Sequence, residues 1–200
     1  MSKIHALCVY CGSSPGTDPA FAETARAFGK ILAENGIRLV YGGGSTGLMG
    51  ALADAVLKNG GDVTGIIPEF LTNREKPRRL AQELIVTRDM HERKRKMFER
   101  ADGFVALPGG IGTLEELVEQ LTWAQLGRHK KPILFANING YWDPLLALFA
   151  HMREQEFVPD ALRINFLVAD RVENVLPKLH DAASSVTEAE EAMAIPADRL

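Results

Sequence analysis

The sequence predicts an α/β protein, a single domain built on a doubly wound, Rossmann-like parallel sheet. Apolar runs typical of buried strands alternate with helical patterns along nearly the whole chain. The 200 residues are 46% hydrophobic and 24% charged, which suits one domain with a full core. Strands and helices that alternate this regularly require crossover connections, and these produce a parallel sheet covered by helices on both faces.

Seven strands and six helices are predicted in order along the chain. The strands are predicted at residues 4–11, 37–43, 62–68, 84–87, 103–108, 132–138 and 165–170. The helices are predicted at residues 19–36, 46–61, 89–101, 113–127, 143–157 and from Glu173 onward. An irregular loop containing proline and arginine is expected from Pro68 to Arg79, because it interrupts the alternation. Residues 1–183 form the predicted domain, and residues 184–200 form a polar tail that is either disordered or a frayed helix.

Composition excludes several classes of partner. The formal net charge is −3, and acidic and basic residues are mixed along the chain. This distribution gives no general attraction for nucleic acid or for an anionic membrane. No apolar run approaches the roughly 18 residues of a membrane span, and the first ten residues lack the features of a signal peptide. We therefore expect a cytoplasmic protein that binds neither nucleic acid nor membrane.

The two cysteines, Cys8 and Cys11, have the C-x-x-C spacing of redox and zinc motifs. They lie in a predicted strand, where residues three apart face opposite sides, and no second pair exists to complete a zinc site. We interpret them as two buried small residues. The five histidines show no metal-ligand spacing, so we predict no metal site and no cofactor.

Two glycine-rich turns follow predicted strands and open predicted helices. They are Tyr41–Gly50, with sequence YGGGSTGLMG, and Leu107–Glu116, with sequence LPGGIGTLEE. Glycine permits positive φ and lets backbone N–H groups approach an oxygen atom, and the helix dipole attracts anions at the same place. Either turn alone could be a tight connection with nothing bound. Two of them in one sheet favour a ligand that carries phosphate.

The glycine pattern favours a mononucleotide over a dinucleotide. Gly42, Gly44 and Gly47 fit G-x-G-x-x-G, and Glu69 follows at about the right distance for a ribose-binding acid. However, the pattern follows the second strand rather than the first, and a dinucleotide would leave the second turn unused. We predict that one turn holds a 5′-phosphate while the other, at Gly43 and Gly44, approaches the sugar. The G-K-[ST] of a Walker P-loop is absent, so phosphoryl transfer from a nucleoside triphosphate is not supported.

Charged residues lie where the core or a pocket is expected in the helix at residues 89–101. Met90 and Met97 mark an apolar stripe, Lys94 falls on that stripe, and Arg93 is beside it. The alternative to a pocket is a pair of side chains that reach past the core edge into solvent.

The glutamates of the second turn also allow two interpretations. Thr113-x-x-Glu116 has the spacing of a capping box, in which Glu116 would only hold the helix N-terminus. Glu115 is one position round the helix, and we expect it to face solvent. A carboxylate beside a helix N-terminus stays ionised, so it can accept a proton or stabilise a developing cation.

Four motifs in order identify a family resemblance. PGGIGTLEE, together with GGGSTGLMG, DMHERK and TWAQLG, closely resembles the cytokinin riboside 5′-monophosphate phosphoribohydrolases, the Lonely Guy (LOG) family, over roughly Ile4 to Val158. Such proteins were often labelled lysine decarboxylases, but this sequence has nothing that resembles the pyridoxal-phosphate lysine site. A binding protein of similar fold, such as a molybdenum-cofactor carrier, should lack the Arg93 and Glu116 pair of this family.

The resemblance implies hydrolysis of the N-glycosidic bond of adenosine 5′-monophosphate or an N6-modified analogue, with release of the free base and ribose 5-phosphate. It implies Arg93 and Glu116 as catalytic residues and a homodimer with the active site near the interface. Glu116 would stabilise positive charge on the ribose and orient water. Substrate-binding positions carried over from the family are Glu75, Lys94, Gly110, Ile111, Gly112, Thr113, Leu114, Glu115 and Thr122. Ile111 stands where an aromatic residue is common, so a broader nucleoside 5′-monophosphate specificity is an alternative.

Overall fold

A computed structural model describes residues 4–75, 82–158 and 165–193. Within these ranges, seven parallel strands form one sheet in the order β4-β3-β2-β1-β5-β6-β7. The strands are β1 Ala6–Tyr10, β2 Arg38–Tyr41, β3 Val63–Pro68, β4 Glu83–Thr87, β5 Gly103–Ala106, β6 Ile133–Ala136 and β7 Leu167–Ala169. The helices are α1 Pro19–Glu34, α2 Gly47–Lys58, α3 Glu69–Glu75, α4 Met90–Glu99, α5 Ile111–Gln125, α6 Asp143–Glu154 and α7 Val175–Met193. Short 3-10 turns lie at Ile138–Gly140 and Val172–Asn174.

Helices bury both faces of the sheet at its central strands, which confirms the predicted doubly wound architecture. Alternate residues of β1 separate into two clusters, because successive strand residues point to opposite faces. Leu7 and Val9 join the core beneath α1, α2 and α7. Cys8 and Tyr10 join the core beneath α4, α5 and α6. Continuous burial of this kind explains why the strands read as unbroken apolar runs.

The strand order places the topological switch point between β1 and β5. The chain runs outward from β1 to the edge strand β4 and then returns to the centre, where β5 pairs with β1 from Leu7 opposite Gly103 to Tyr10 opposite Ala106. Connections leave these two strands toward opposite faces of the sheet, and a crevice opens between their carboxyl ends. The second glycine-rich turn follows β5 directly, at this crevice.

Side-chain caps and a glycine stop fix the bounds of several helices. Asp18 caps α1 by accepting a hydrogen bond from the N–H of Ala20 at 2.9 Å. The helix ends at the predicted Asn35-Gly36 stop, where Gly36 has a φ of +65°. Asp89 caps α4 by accepting from the N–H of Glu92 at 2.8 Å.

The prediction of an irregular loop from Pro68 to Arg79 is wrong for its first part. The helix α3 occupies Glu69–Glu75, and the hydroxyl of Thr72 donates to the carbonyl oxygen of Glu69 at 2.7 Å within it. Seven residues are too few to show a helical period, and the proline before them resembles a loop signal. The remainder of that predicted loop, residues 76–79, lies outside the described residues.

Two features concern the membrane and tail predictions. In the described ranges, no helix combines the length and the apolar character needed to cross a membrane. The helix α7 continues through Ser184, where the sequence predicts the polar tail to begin, and ends at Met193. The division into residues 1–183 and 184–200 stays a prediction, and residues 194–200 lie outside the described part of the chain.

Candidate active site

A buried ion pair joins α4 to α5 beside the switch point. Nη1 of Arg93 lies 2.9 Å from Oε1 of Glu116, and the two side chains are only 8% and 10% exposed. Nε of Arg93 donates to the carbonyl oxygen of Ile66 in β3 at 3.0 Å. The guanidinium is therefore held by the sheet on one side and by the carboxylate on the other. These contacts fix the orientation of the guanidinium and the carboxylate relative to each other, in addition to balancing their charges.

The first glycine-rich turn makes room for that guanidinium. A Cβ atom built on Gly42 would collide with Nη2 of Arg93. The next residue, Gly43, has a φ of +78° and packs against Ile67, where an added Cβ would lie 3.2 Å from the Cβ of Ile67. Gly44 is buried in the same turn. The turn predicted to approach a sugar thus borders the Arg93–Glu116 pair.

The second glycine-rich turn forms the N-terminus of α5 without any side-chain cap. Gly110 is the N-cap residue, so Thr113 is the third residue of the helix, and the capping box that was one of the two interpretations of Glu116 does not form. Glu116 lies in the second turn of the helix and binds Arg93 instead. A Cβ added to Gly110 or Gly112 would meet no atom within 4 Å. Open space therefore adjoins the start of α5, where the first N–H groups of a helix have no intrahelical partner and the helix dipole suits an anion.

A second charged group lies next to the Arg93–Glu116 pair. Nζ of the buried Lys94 lies 2.6 Å from Oε1 of Glu115 and 3.0 Å from Oε1 of Glu119. Burial on its own would lower the pKa of Lys94, but hydrogen bonds to the two glutamates raise it above its usual value, so the ammonium stays charged. Glu115 is paired although exposed. The sequence analysis missed Glu119, which could have been found from its position four residues after Glu115 on one face of α5.

Backbone hydrogen bonds join the loops at this edge of the sheet. The N–H of Gly12 donates to the carbonyl oxygen of Pro108 at 3.0 Å. The carbonyl oxygen of Gly12 accepts from Leu48 at 3.0 Å and from Met49 at 3.3 Å, in the first turn of α2. The loops that follow β1, β2 and β5 therefore form one hydrogen-bonded unit that fixes the two glycine-rich turns relative to each other.

The other predicted binding positions do not all lie together. Ile111 is 82% exposed at the first position of α5, and Leu114 is partly buried one turn later. Thr122 faces solvent and donates to the carbonyl oxygen of Val118 at 2.8 Å. It is eleven residues from Ile111, which corresponds to about 16 Å along the helix axis. Glu75 ends α3, and its side chain lies outside the described part of the structure.

The cysteines lie as predicted, buried on opposite faces of the sheet. Cys8 belongs to the cluster beneath α4, α5 and α6, and Cys11 to the cluster beneath α1, α2 and α7. Burial raises the pKa of the Cys8 thiol, which keeps it protonated and unreactive. In residues 4–75, 82–158 and 165–193, no three His, Cys, Asp or Glu side chains are placed to hold a metal ion.

Glycine turns at the switch point of a parallel sheet, next to a buried arginine–glutamate pair, define an α/β protein of the nucleotide-binding type. Residues 49–179 match the model of a family described as "Possible lysine decarboxylase". A "Probable cytokinin riboside 5′-monophosphate phosphoribohydrolase" of Oryza sativa subsp. japonica is 46% identical over 181 residues, which cover 90% of this chain and 79% of that protein. A cytokinin riboside 5′-monophosphate phosphoribohydrolase of Arabidopsis thaliana is 42% identical over 90% of this chain and 83% of its own length. The chain belongs to the cytokinin riboside 5′-monophosphate phosphoribohydrolase (LOG) family.

Solved structures of lower identity share the fold. The molybdenum cofactor binding protein of Rippkaea orientalis superposes with a TM-score of 0.67 at 21% identity, over 90% of this chain and 98% of that one. The Moco carrier protein of Chlamydomonas reinhardtii superposes with a TM-score of 0.68 at 21% identity, over 92% of this chain and 99% of that one. At this identity the likeness concerns the architecture alone.

Proposed function

We propose that this protein hydrolyses the N-glycosidic bond of a nucleoside 5′-monophosphate, either an N6-modified adenosine 5′-monophosphate or AMP, and releases the free base and ribose 5-phosphate. The observation that carries the proposal is the buried Arg93–Glu116 pair, placed between two glycine-rich turns at the switch point. The family relatives, whose names state this activity for cytokinin riboside 5′-monophosphates, support it.

The chemistry requires a carboxylate near the ribose. When the bond from C1′ to the base breaks, its electron pair leaves with the base nitrogen and positive charge develops on the ribose. The carboxylate of Glu116 would stabilise that charge and accept a proton from the water that attacks C1′. The departing base takes a proton from solvent. Arg93 would orient Glu116 or hold the nucleotide, since a guanidinium does not donate its own proton near neutral pH.

We place the 5′-phosphate at the N-terminus of α5, from Gly110 to Thr113. The open space beside Gly110 and Gly112 and the lack of a side-chain cap hydrogen bond support this location. Lys94 adds a positive charge one residue from Arg93, and Gly43 and Gly44 would border the ribose. A crystal soaked with AMP tests the assignment. Phosphate density at Gly110 to Thr113 is expected, and density confined to Gly42 to Thr46 would contradict it.

The preferred base is tested with a panel of nucleotides. Release of free base from AMP, GMP, CMP and N6-isopentenyl-AMP is measured by chromatography. We expect cleavage of the two adenine nucleotides. Equal cleavage of all four would support the broader nucleosidase alternative. Tight binding without release from any of them would overturn the hydrolase proposal in favour of a carrier.

We further propose a homodimer located in the cytoplasm. Ile111, Val118 and Leu126 expose apolar side chains along one side of α5 and at its C-cap, on the same side as Thr122. Two antiparallel copies of α5 that met there would bring each Thr122 toward the site of the other subunit. Light scattering should give twice the chain mass, and Val118→Glu should give the monomer mass. Buried cysteines such as Cys8 and Cys11 are usual in a reducing compartment.

A further inference from the structure

We propose that Tyr141 is a positioning residue of the nucleotide site: its hydroxyl holds the peptide between Gly109 and Gly110 so that the N–H of Gly110 faces the bound phosphate. This inference rests on the proposed function, because it concerns the anion held at the N-terminus of α5. Tyr141 comes from the connection between β6 and α6, far from both glycine-rich turns in the sequence.

The contact is direct and geometrically defined. The Tyr141 hydroxyl donates to the carbonyl oxygen of Gly109 at 2.5 Å, and the side chain is 37% exposed at the rim of the site. Its ring packs edge-on against Phe21, with centroids 5.3 Å apart, and against Trp142, with centroids 5.0 Å apart. Nε1 of Trp142 donates to the carbonyl oxygen of Ala106, the last residue of β5, at 3.3 Å. Two adjacent aromatic residues thus bracket the turn from β5 to α5.

The peptide plane transmits this contact to the anion site. The peptide between Gly109 and Gly110 is trans, and in a trans peptide the carbonyl oxygen and the following N–H point in opposite directions. A hydrogen bond that fixes the carbonyl of Gly109 therefore fixes the direction of the N–H of Gly110. Restraint matters here because the peptide lies between two glycines, whose backbone would otherwise adopt several orientations.

Two further hydrogen bonds bind the carbonyl groups on either side of Gly109. The carbonyl of Pro108 accepts from the N–H of Gly12 at 3.0 Å, and the carbonyl of Gly110 accepts from the N–H of Leu114 at 3.0 Å. With the contact of Tyr141 to Gly109, three successive carbonyls are bound by donors of the protein. The carbonyl dipoles are thereby directed away from the anion, and the N–H groups remain for the ligand.

The loop that carries Tyr141 is itself braced, as a positioning role requires. Asn139 has a φ of +52°, and its amide donates to Oδ2 of Asp18, the cap of α1, at 2.8 Å. Oδ1 of Asn137 accepts from the N–H of Trp142 at 2.8 Å, and its Nδ2 donates to Asp143 at 2.8 Å. The hydroxyl of Tyr141 is consequently presented from a fixed framework rather than from a loose surface loop.

The experiment compares Tyr141→Phe with Tyr141→Leu. The phenylalanine variant keeps the ring contacts and removes only the hydroxyl, whereas the leucine variant removes both. Calorimetric titration with ribose 5-phosphate should show affinity weakened about three- to tenfold in Tyr141→Phe, the scale of one lost hydrogen bond. The KM for AMP should rise by the same factor, with kcat within about twofold of wild type and an unchanged melting temperature.

Several outcomes would overturn the proposal. An affinity of Tyr141→Phe equal to wild type, with loss only in Tyr141→Leu, would reduce Tyr141 to ring packing. A fall in kcat at constant KM would place its role elsewhere. Tyr10→Phe removes a buried phenolic hydroxyl that contacts Cys8, and an equal loss of affinity there would indicate general loosening.

Absence of turnover in the wild-type protein would defeat the proposed function alone, because the ribose 5-phosphate titration still decides on Tyr141. Absence of ribose 5-phosphate binding by wild type would overturn the phosphate location at the N-terminus of α5 and the role of Tyr141, while base release from AMP would still decide the proposed function.

Discussion

The guanidinium of Arg93 binds the carboxylate of Glu116 across the gap between two consecutive helices, with 2.9 Å between Nη1 and Oε1. Such a pair costs desolvation energy when it is buried, and an apolar pair of equal size would be as good or better for stability. A capping role for Glu116 is also excluded, because Gly110 is the N-cap of α5. Burial of the two charges at the switch point therefore supports the proposal that the pair takes part in the chemistry.

Glu116→Gln should lower kcat by on the order of a hundredfold or more, the scale of one general-base or electrostatic contribution. The side chain keeps its size and one hydrogen-bond acceptor, so the variant should fold and bind ribose 5-phosphate nearly as well as wild type. Arg93→Ala should be similarly inactive. Steady-state release of adenine from AMP is the measurement, with Glu99→Gln, an exposed surface change, as the control. Near-normal turnover by Glu116→Gln would assign the chemistry to other residues.

Gly42→Ala should displace the guanidinium of Arg93, because the new methyl group would occupy the position of Nη2. We expect kcat to fall at least tenfold while affinity for ribose 5-phosphate is retained. Gly112→Ala provides the contrast, since its Cβ enters open space at the second position of α5. That change should leave kcat nearly intact and raise the KM for AMP, because the methyl group enters the proposed phosphate site. Identical kinetic effects of the two substitutions would refute the separate roles given to the two turns.

The double change Cys8→Ala and Cys11→Ala should leave turnover within a few-fold of wild type. Both thiols are buried, and burial raises the pKa of Cys8, so neither redox chemistry nor metal binding is expected. A thiol-specific reagent should react with the folded protein slowly and with two thiols after denaturation. Activity that vanishes in a variant that still folds would show that one thiol takes part in the reaction.

Stability should fall as the pH drops through about 6.5, in part because of His129. Burial lowers the pKa of His129 below its usual 6.5, and the nearby Lys131 charge acts in the same direction. Nδ1 accepts from the N–H of Lys131 at 3.1 Å, and Nε2 lies 3.2 Å from the carbonyl oxygen of Gln120. A neutral ring with its proton on Nε2 makes both of these hydrogen bonds. The unfolded chain therefore binds more protons than the folded chain in this range, and acid favours unfolding.

The substitution His129→Gln provides the matched test. Glutamine offers one donor and one acceptor but does not titrate, so the decrease in melting temperature between pH 7 and pH 5 should be smaller in the variant. Differential scanning calorimetry across that range compares the two proteins. Parallel curves would show that His129 does not contribute to the acid sensitivity.

The central strands were predictable because a strand buried on both faces needs an unbroken apolar run, as in β1 and β5, and the edge strand β4 was predictable from a short apolar run although most of it is exposed. The same reasoning placed Cys8 and Cys11 on opposite faces. The helix α3 was missed because seven residues after a proline carry too little periodicity. The predicted start of α5 was Thr113, whereas the helix begins at Ile111, because a helix capped by glycine has no capping side chain to detect.

The candidate site was predictable in its composition but not in its contacts. The apolar stripe of α4 singled out Arg93 and Lys94, with a pocket and a solvent-reaching pair both left open, and the family resemblance supplied Glu116. The partners themselves depend on how α4 and α5 pack, which no local pattern encodes. Tyr141 was missed for this reason, since the carbonyl that it binds is distant in sequence, whereas Glu119 lies four residues after Glu115 and was open to a local reading.

The return of the chain from edge strand β4 to central strand β5 has a consequence for folding. The strands β1 to β4 form one half of the sheet and β5 to β7 the other, so Arg93 and Glu116, which follow β4 and β5, meet across the join. The first half alone would hold a guanidinium without its carboxylate and leave one edge of β1 without its neighbour. Neither half of the sheet should therefore be stable as an independent unit. The ability to cleave a nucleotide should arise only when β5 pairs with β1, because this pairing joins segments that are far apart in the sequence.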